Sequence, residues 1–185
     1  MTKHIVAFGA SNSKESINKQ FAQFAAKQLQ NVEVSILDLN DFELPLYSVD
    51  LEKAYGIPAN ARKFLTLIKN SDGIILSLAE YNGLHTSAFK NLWDWLSRIP
   101  MDQPRNIWGN KPMFLLSTSP SRRPMNNVLK LSKEIFPHFG ANIIADFYLP
   151  SFHRFYRNGH IIEPGYVSRF TEAKKIYQDH LDSLA

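Results

Sequence analysis

Residues 73–78, GIILSL, decide the fold, because they form a short run that is almost continuously apolar. Such a run is typical of a strand that is covered on both faces of a sheet. Further short apolar runs occur at residues 3–8, 32–37, 111–117 and 141–148. Segments with apolar residues at three- and four-residue spacing, which is typical of amphipathic helices, separate these runs. The alternation predicts a parallel sheet with helices on both faces.

The predicted helices follow the strands in turn. Apolar spacing places them at residues 17–29, 61–69, 88–96, 125–139 and 167–181. Residues 39–58 are predicted to be irregular, because two prolines and a glycine interrupt any regular pattern there. Five strands and five helices match the flavodoxin-like order 2-1-3-4-5 better than the larger dinucleotide-binding order, which usually needs a sixth strand. The chain, residues 1–185, is therefore predicted to be one α/β domain, a three-layer sandwich around a five-stranded parallel sheet.

The composition restricts the function. The chain has no cysteine, which excludes disulfides, thiolate catalysis and cysteine-based zinc sites, and we predict no metal site. The net charge of +4 is mild and spread along the chain, so nucleic-acid binding is not expected. No stretch approaches the roughly 18 apolar residues of a membrane span. The short apolar run near the N-terminus does not fit a signal peptide, and a cytoplasmic location is expected.

Three loops carry the candidate site residues, because open parallel sheets bind ligands at the carboxyl ends of their strands. The first loop, residues 9–18, is rich in Ser and Asn and enters a helix, which suits a phosphate or an ordinary helix cap. It lacks the motifs of a dinucleotide fingerprint and of a P-loop. The second loop, residues 79–83, ends in Asn82-Gly83, which is a strong turn signal and could also border a planar ring. The third loop, residues 117–124, is polar and could simply cap a helix.

Together these loops resemble the NADPH-dependent FMN reductases, a flavodoxin-like family with azoreductase- and quinone reductase-like members. The family has Gly-Ser-x-Arg-x-x-Ser-x-Asn after its first strand, and residues 10–18 read ASNSKESIN. After its third strand it has Pro-Glu-Tyr-Asn and then Leu-Lys-Asn-x-x-Asp-Trp, where this chain has AEYN at 79–82 and FKNLWDW at 89–95. At its fourth strand it has Lys-Pro, a hydrophobic run and Ser-x-Ser-Pro-Gly, where residues 111–121 read KPMFLLSTSPS. The order and spacing of all three blocks agree.

The resemblance implies a role for each loop. The FMN phosphate would be held by Ser11, Ser13, Ser16, Ile17 and Asn18. The isoalloxazine ring would be bordered, largely through backbone atoms, by Ala79, Glu80, Tyr81, Asn82 and Gly83. Its other side would be lined by Ser117, Thr118 and Ser119. On the following helix, Asn91, Asp94 and Trp95 would serve packing and loop bracing rather than ligand binding.

The sequence departs from the family pattern at several positions, including Ala10 for Gly, Ala79 for Pro, and residues 84–86, LHT, in place of a small residue and Pro-Gly. Two further departures affect the expected contacts with FMN. Ser13 stands where the family has Arg, so the phosphate loses a bidentate charged partner, which hydroxyl and amide donors would replace. Residues 121–124, SRRP, replace the glycine-rich end of the third loop, so the backbone is less free to approach the ring there.

The activity implied by the resemblance is electron transfer through FMN, from NADPH or NADH to a flavin, quinone or azo acceptor, in a ping-pong cycle. No side chain is needed as a catalytic acid or base, and we assign none. His85 could donate a proton to a reduced acceptor, or it could be an exposed loop histidine. Arg122 or Arg123 could pair with the 2′-phosphate of NADPH, or both could be solvated.

Two other functions stay open at this stage: an FMN-binding electron carrier or redox sensor without nicotinamide-dependent turnover, and an interaction scaffold without flavin. A homodimer or homotetramer is expected, because the flavin of this family commonly lies near a subunit interface. Trp93 and Trp95 could complete an interface, although core packing is favoured. Residues 152–157, FHRFYR, are too aromatic for a free loop and could pack on a partner subunit or roof the site.

Overall fold

The strands of the computed structural model, which describes residues 2–103, 105–122 and 126–184, form one large parallel sheet and two small hairpins. In chain order they are β1 (Lys3–Gly9), β2 (Val32–Leu37), β3 (Gly73–Leu78), β4 (Glu80–Tyr81), β5 (Leu84–His85), β6 (Pro112–Thr118), β7 (Asn142–Leu149), β8 (Tyr156–Arg157) and β9 (His160–Ile161). The large sheet has the order β2-β1-β3-β6-β7, and every neighbouring pair is parallel. Counted over its own strands this order is 2-1-3-4-5, so the predicted flavodoxin-like topology is confirmed.

The helices of the described residues lie where the apolar periodicity predicts them, with two short additions, at Val49–Tyr55 and Phe152–Phe155. They are α1 (Ile17–Lys27), α2 (Val49–Tyr55), α3 (Ala59–Lys69), α4 (Ser87–Ser97), α5 (Asn127–Ile135), α6 (Phe152–Phe155) and α7 (Pro164–Ser183), with 3-10 turns at Leu39–Phe42 and Phe136–Phe139. The predicted start of the fourth helix, Met125, lies outside the described residues.

The prediction that residues 39–58 are irregular is wrong in part, because the first 3-10 turn and α2 lie there. Helix α2 buries none of its residues, so no apolar stripe marks it in the sequence. Its start is instead fixed by Ser48, whose hydroxyl accepts a hydrogen bond from the Leu51 N–H at 3.1 Å. Its end is fixed by Gly56 at a φ of 74°.

The sheet separates two apolar layers. Along β1, Val6 and Phe8 pack with α3, α4 and α5, whereas Ile5 and Ala7 pack with α1 and α7. All residues of β3 are buried, as expected for a strand covered on both faces. The three-layer prediction is therefore confirmed. Among the described helices, none has both the length and the apolar character needed to cross a bilayer.

The tryptophans of α4 are core residues of this chain. Trp93 and Trp95 are both buried in the layer that contains α3, α4 and α5, which confirms the favoured prediction of core packing. The indole N–H of Trp95 also donates to the Pro45 carbonyl at 2.8 Å, and Asn91 Nδ2 donates to the same carbonyl at 3.1 Å. These bonds brace the segment between β2 and α2, as predicted for this part of the helix.

A glycine at the end of β1 allows α1 to begin directly over the sheet edge. A Cβ atom on Gly9 would lie 2.4 Å from the Lys19 nitrogen, which no real side chain tolerates. The first turn of α1 can therefore cross the end of β1 at contact distance. This close approach places the first loop at the carboxyl edge of the sheet.

Candidate functional site

The three candidate loops meet around one cleft of about 260 Å³ at the carboxyl edge of β1, β3 and β6. The cleft is lined by Ser11, Ser13, Glu15, Ser16, Ile17, Asn18, Ala79, Glu80, Tyr81, Thr118, Ser119, Pro120 and His153. Of the predicted site residues, Asn82, Gly83 and Ser117 do not line it. The structure thus brings together most of the residues that the sequence singled out, and it adds Glu15, Pro120 and His153.

The first loop presents unused hydrogen-bond donors to the cleft. Ser16 caps α1, because its Oγ accepts from the Lys19 N–H at 3.2 Å. Within the described residues, the main-chain N–H groups of Ile17 and Asn18 have no acceptor. Free amides at the start of an 11-residue helix, together with the positive end of its dipole, favour a bound anion.

The side chain of Asn18 has a structural task instead. It is buried, its Nδ2 donates to the Thr118 carbonyl at 3.1 Å, and its Oδ1 accepts from the Thr118 N–H at 3.1 Å and from Ser77 Oγ at 2.8 Å. The Oδ1 of this carboxamide and one of its two N–H groups are thereby engaged with β3 and β6. The main-chain N–H of Asn18, which has no acceptor within the described residues, is therefore the better candidate for contact with a phosphate.

The second loop is a tight hairpin in which β4 and β5 pair antiparallel. Its two central residues, Asn82 and Gly83, have φ values of 54° and 83°, as in a type I′ turn, so the predicted turn is confirmed. The Glu80 carboxylate accepts a hydrogen bond from the Val128 N–H at 3.0 Å, in the first turn of α5. The hairpin is thereby fixed to α5, and the half-exposed Tyr81 is left at the mouth of the cleft.

Two of the predicted residues of the third loop use their hydroxyls inside the protein. Ser117 Oγ donates to the Leu78 carbonyl at 2.7 Å, and Thr118 Oγ1 donates to the Leu149 carbonyl at 2.7 Å. Both side chains are buried, so they hold the ends of neighbouring strands together.

The arginine pair of the third loop lies only partly within the described residues. Arg122 is exposed and does not line the cleft. Arg123 and the following Pro124 lie outside the described residues, so the hypothesis that an arginine here meets a 2′-phosphate stays a prediction.

His85 is neither the exposed loop histidine nor the well-placed proton donor considered from the sequence. Its ring is half-buried against Phe89, Trp93 and Phe136, and its Nε2 lies 2.7 Å from Ser132 Oγ. Burial, helped by the charge of Lys90, lowers the pKa of His85 to about 4. It is therefore neutral near pH 7, and it lines a separate apolar groove between α4 and α5.

His153 is one of the three cleft residues that sequence reasoning did not assign. It belongs to the aromatic segment 152–157, which packs on its own chain, since the Phe152 ring lies 6.4 Å from that of Phe21 on α1. This packing brings His153 into the lining of the cleft, so the segment borders the site, whereas its packing on a partner subunit stays a prediction. The available signal was a basic, aromatic segment directly after the carboxyl end of β7.

A doubly wound parallel sheet with a polar cleft at its carboxyl edge defines a flavodoxin-like protein. A sequence model of the NADPH-dependent FMN reductases matches residues 4–154, and the chain belongs to this family. The matched range includes the three loops that carry the resemblance described above.

Curated relatives agree with this assignment, and a solved structure shows the same fold. The chain is 30% identical over 103 residues to a quinone reductase of Escherichia coli (strain K12), covering 54% of this chain and 53% of that protein. It is 33% identical over 120 residues to a 2-hydroxy-1,4-benzoquinone reductase of a Burkholderia species, covering 64% and 62%. The alignments thus span little more than half the length of these relatives. The structure of FerB, a flavoenzyme NAD(P)H:(acceptor) oxidoreductase from Paracoccus denitrificans, superposes with a TM-score of 0.75 at 22% identity, covering 97% of both chains.

Proposed function

We propose that this protein is an FMN-dependent NAD(P)H oxidoreductase that passes electrons to a small quinone, flavin or azo-type acceptor in a ping-pong cycle. The observation that carries the proposal is the pair of free N–H groups, on Ile17 and Asn18, that open α1 beside a cleft lined by hydroxyls. The family and the names of the curated relatives support the same class of reaction.

The donor set of the first loop fits the FMN phosphate. Ser16 uses its Oγ as an acceptor toward Lys19, which leaves the hydroxyl proton to donate. Ser11 Oγ likewise accepts from the Ser13 N–H at 3.2 Å and keeps its own proton. With the N–H groups of Ile17 and Asn18, these hydroxyls would supply several donors to one anion.

The second and third loops fit the flavin ring. The main chain of Ala79 and Glu80 would border one edge, and Ser119 and Pro120 would border the other. Because the Glu80 carboxylate is held by α5, this border is rigid and needs no rearrangement to receive a planar group. When bound, FMN supplies the two-electron chemistry, and the chain binds and orients it.

The mouth of the cleft is exposed, as a ping-pong cycle requires, because the nucleotide and the acceptor must enter the same site one after the other. Tyr81 and Asn82 are exposed at the tip of the hairpin, so a nicotinamide and an acceptor could reach the same side of a bound ring in turn. No ionised side chain needs to take part, since the cleft residues would only position the reactants.

Anaerobic titration tests the proposal. The protein is loaded with FMN and mixed with NADPH or NADH, and the flavin absorbance band is followed before acceptors are added. We expect bleaching by at least one nucleotide, recovery of the band with 1,4-benzoquinone, riboflavin or an azo dye, and parallel double-reciprocal rate plots. A protein that holds FMN without bleaching would instead be an electron carrier or sensor, and one that binds no flavin would contradict the proposal.

The proposed assembly is a homodimer or homotetramer. Light scattering on the FMN-loaded protein measures the mass directly, and a mass near the 21.2 kDa of one chain would contradict this part of the proposal.

A further inference from the structure

The residues that line the cleft carry more negative than positive charge, and the first loop contributes no basic side chain to this lining. The lining contains two carboxylates, Glu15 and Glu80, and within the described residues His153 is its one basic side chain. The carboxylate of Glu80 is engaged by α5, whereas that of Glu15 is exposed beside the hydroxyls. A phosphate monoester brings up to two further negative charges to this place.

We propose that His153 is the cationic partner of the FMN phosphate and that it makes the protein prefer phosphorylated flavin to riboflavin. The inference rests on the proposed function, because it requires FMN in the cleft. Neutral hydroxyls and amides can donate to the phosphate, but a positively charged donor also compensates its charge.

The fold holds His153 in the lining of the cleft, beside α1 and the third loop. The preceding residue, Phe152, is buried against Phe21 of α1, and its N–H donates to the Ser119 carbonyl at 2.9 Å. One residue earlier, the Ser151 N–H donates to the Ser121 carbonyl at 2.8 Å. These contacts tie the turn that carries His153 to both α1 and the third loop.

The backbone conformation of Ser151 also indicates that the turn carrying His153 is held in a fixed position. Its φ of 48° and ψ of 52° lie in the left-handed region, which is unfavourable for a serine. The surrounding contacts therefore impose this conformation, and it turns the chain so that the next residues reach α1.

The imidazole of His153 has no other task in the described part of the chain. It makes no hydrogen bond or ion pair there, and its recorded ring contact is with Phe152 at 5.6 Å. By contrast, the imidazole of His4 is bonded to Ser35 and that of His85 to Ser132. An imidazole that lines the cleft with free nitrogen atoms can donate to a phosphate oxygen.

The test compares two flavins that differ in the phosphate. Dissociation constants for FMN and riboflavin are measured from the quenching of flavin fluorescence, for the wild type and for His153→Ala, His153→Lys and His160→Ala. His160 is a matched control, because it is exposed on β9 and does not line the cleft. Its replacement should leave both constants unchanged.

The expected result is a loss of selectivity in one variant. His153→Ala should weaken FMN about tenfold and leave riboflavin unchanged, as expected when one charge-assisted hydrogen bond is lost. His153→Lys should stay within about threefold of the wild type, because it keeps a positive charge. Added salt should reduce the preference for FMN in the wild type more than in His153→Ala.

Three outcomes would overturn the proposal, and they separate it from the proposed function. If the wild type prefers FMN and His153→Ala keeps that preference, only the role of His153 fails. If His153→Ala weakens both flavins equally, or if His153→Lys is as weak as His153→Ala, the residue acts through shape and not through charge. If the wild type binds neither flavin, the proposed function itself fails.

Discussion

The carboxamide of Asn18 forms a pair of hydrogen bonds with the main chain of Thr118, one hundred residues further along the chain. Its Nδ2 donates to the Thr118 carbonyl and its Oδ1 accepts from the Thr118 N–H, both at 3.1 Å. The amide therefore replaces a strand neighbour at the end of β6 and fixes α1 to that strand. The first turn of α1 and the third loop are in this way built as one unit.

Replacement of Asn18 by Ala should destabilise the protein strongly. The change leaves the buried main chain of Thr118 and the Ser77 hydroxyl without partners, so we expect a loss of about 3 kcal/mol in the free energy of unfolding. Urea denaturation of the variant and the wild type measures this change in the free energy of unfolding. Asn12→Ala is the matched control, because Asn12 is exposed in the same loop. If the two variants were equally stable, Asn18 would not have the structural role assigned to it.

Loss of the Glu80 carboxylate should loosen the hairpin and the start of α5. Glu80→Ala removes both a hydrogen-bond acceptor and a negative charge from the helix N-terminus, which should cost about 1–2 kcal/mol. Glu80→Gln keeps an acceptor for the Val128 N–H and should cost about half as much. Glu172→Ala provides the control in the same urea experiment, since that exposed carboxylate lies in the middle of α7, away from the ends of the helix. A Glu80→Ala variant as stable as the control would contradict the assignment.

The turn between β4 and β5 depends on Gly83. Its φ of 83° makes Gly83→Ala unfavourable by about 1 kcal/mol, even though the added Cβ has space. Gly165→Ala is the comparison, because Gly165 lies in the first turn of α7 with no atom near its Cβ position and should be neutral or slightly stabilising. Thermal melting of both variants distinguishes them, and the prediction fails if their melting temperatures shift alike.

The stability of the protein should depend on pH through His85. Burial lowers its pKa from 6.5 to about 4, so between these values the unfolded chain binds the proton that the folded chain excludes. The free energy of unfolding should therefore be unaffected by His85 above pH 6.5 and should fall as the pH is lowered toward 4. After allowance for partial exposure, the expected decrease is roughly 2 kcal/mol.

A replacement of the ring isolates this effect from all other titrating groups. Urea denaturation at several pH values should give a steeper loss of stability for the wild type than for His85→Gln between pH 6.5 and 4. Parallel curves for the two proteins would show that His85 titrates alike in the folded and unfolded states.

The sheet and the position of the cleft could be predicted because they follow from local sequence. A strand buried on both faces, such as β3, has an almost continuous apolar sequence, which is not typical of solvent-exposed segments. The Asn82-Gly83 pair predicts the turn because few other pairs of residues adopt two positive φ values in succession. The loop that follows β1 was found for a similar reason, since a helix that starts at a sheet edge needs its own capping residue, Ser16.

Other features could not be predicted, because they depend on contacts between distant parts of the chain. Asn and Ser donate equally well to a phosphate and to a neighbouring strand, so the sequence could not show that the Asn18 side chain faces β6. His153 reaches the cleft because Phe152 packs on Phe21 and donates its N–H to the Ser119 carbonyl. The burial of His85 arises likewise from its position between α4 and α5.

The central claim, that the start of α1 holds an anionic flavin phosphate through main-chain N–H groups, can be tested by removing one of these groups. Ile17 is the first residue of α1, where proline is well tolerated, and the extended ψ of 116° at Ser16 suits a following proline. Ile17→Pro therefore deletes a single N–H while keeping the helix. Ile17→Ala is the control, because it shortens the same half-buried side chain but keeps the N–H.

The decisive measurement is the affinity of these two variants for FMN and for riboflavin. If the phosphate accepts a hydrogen bond from the Ile17 N–H, Ile17→Pro should bind FMN about tenfold more weakly than Ile17→Ala. Riboflavin should bind to both variants equally. Equal FMN affinities of the two variants would contradict the account.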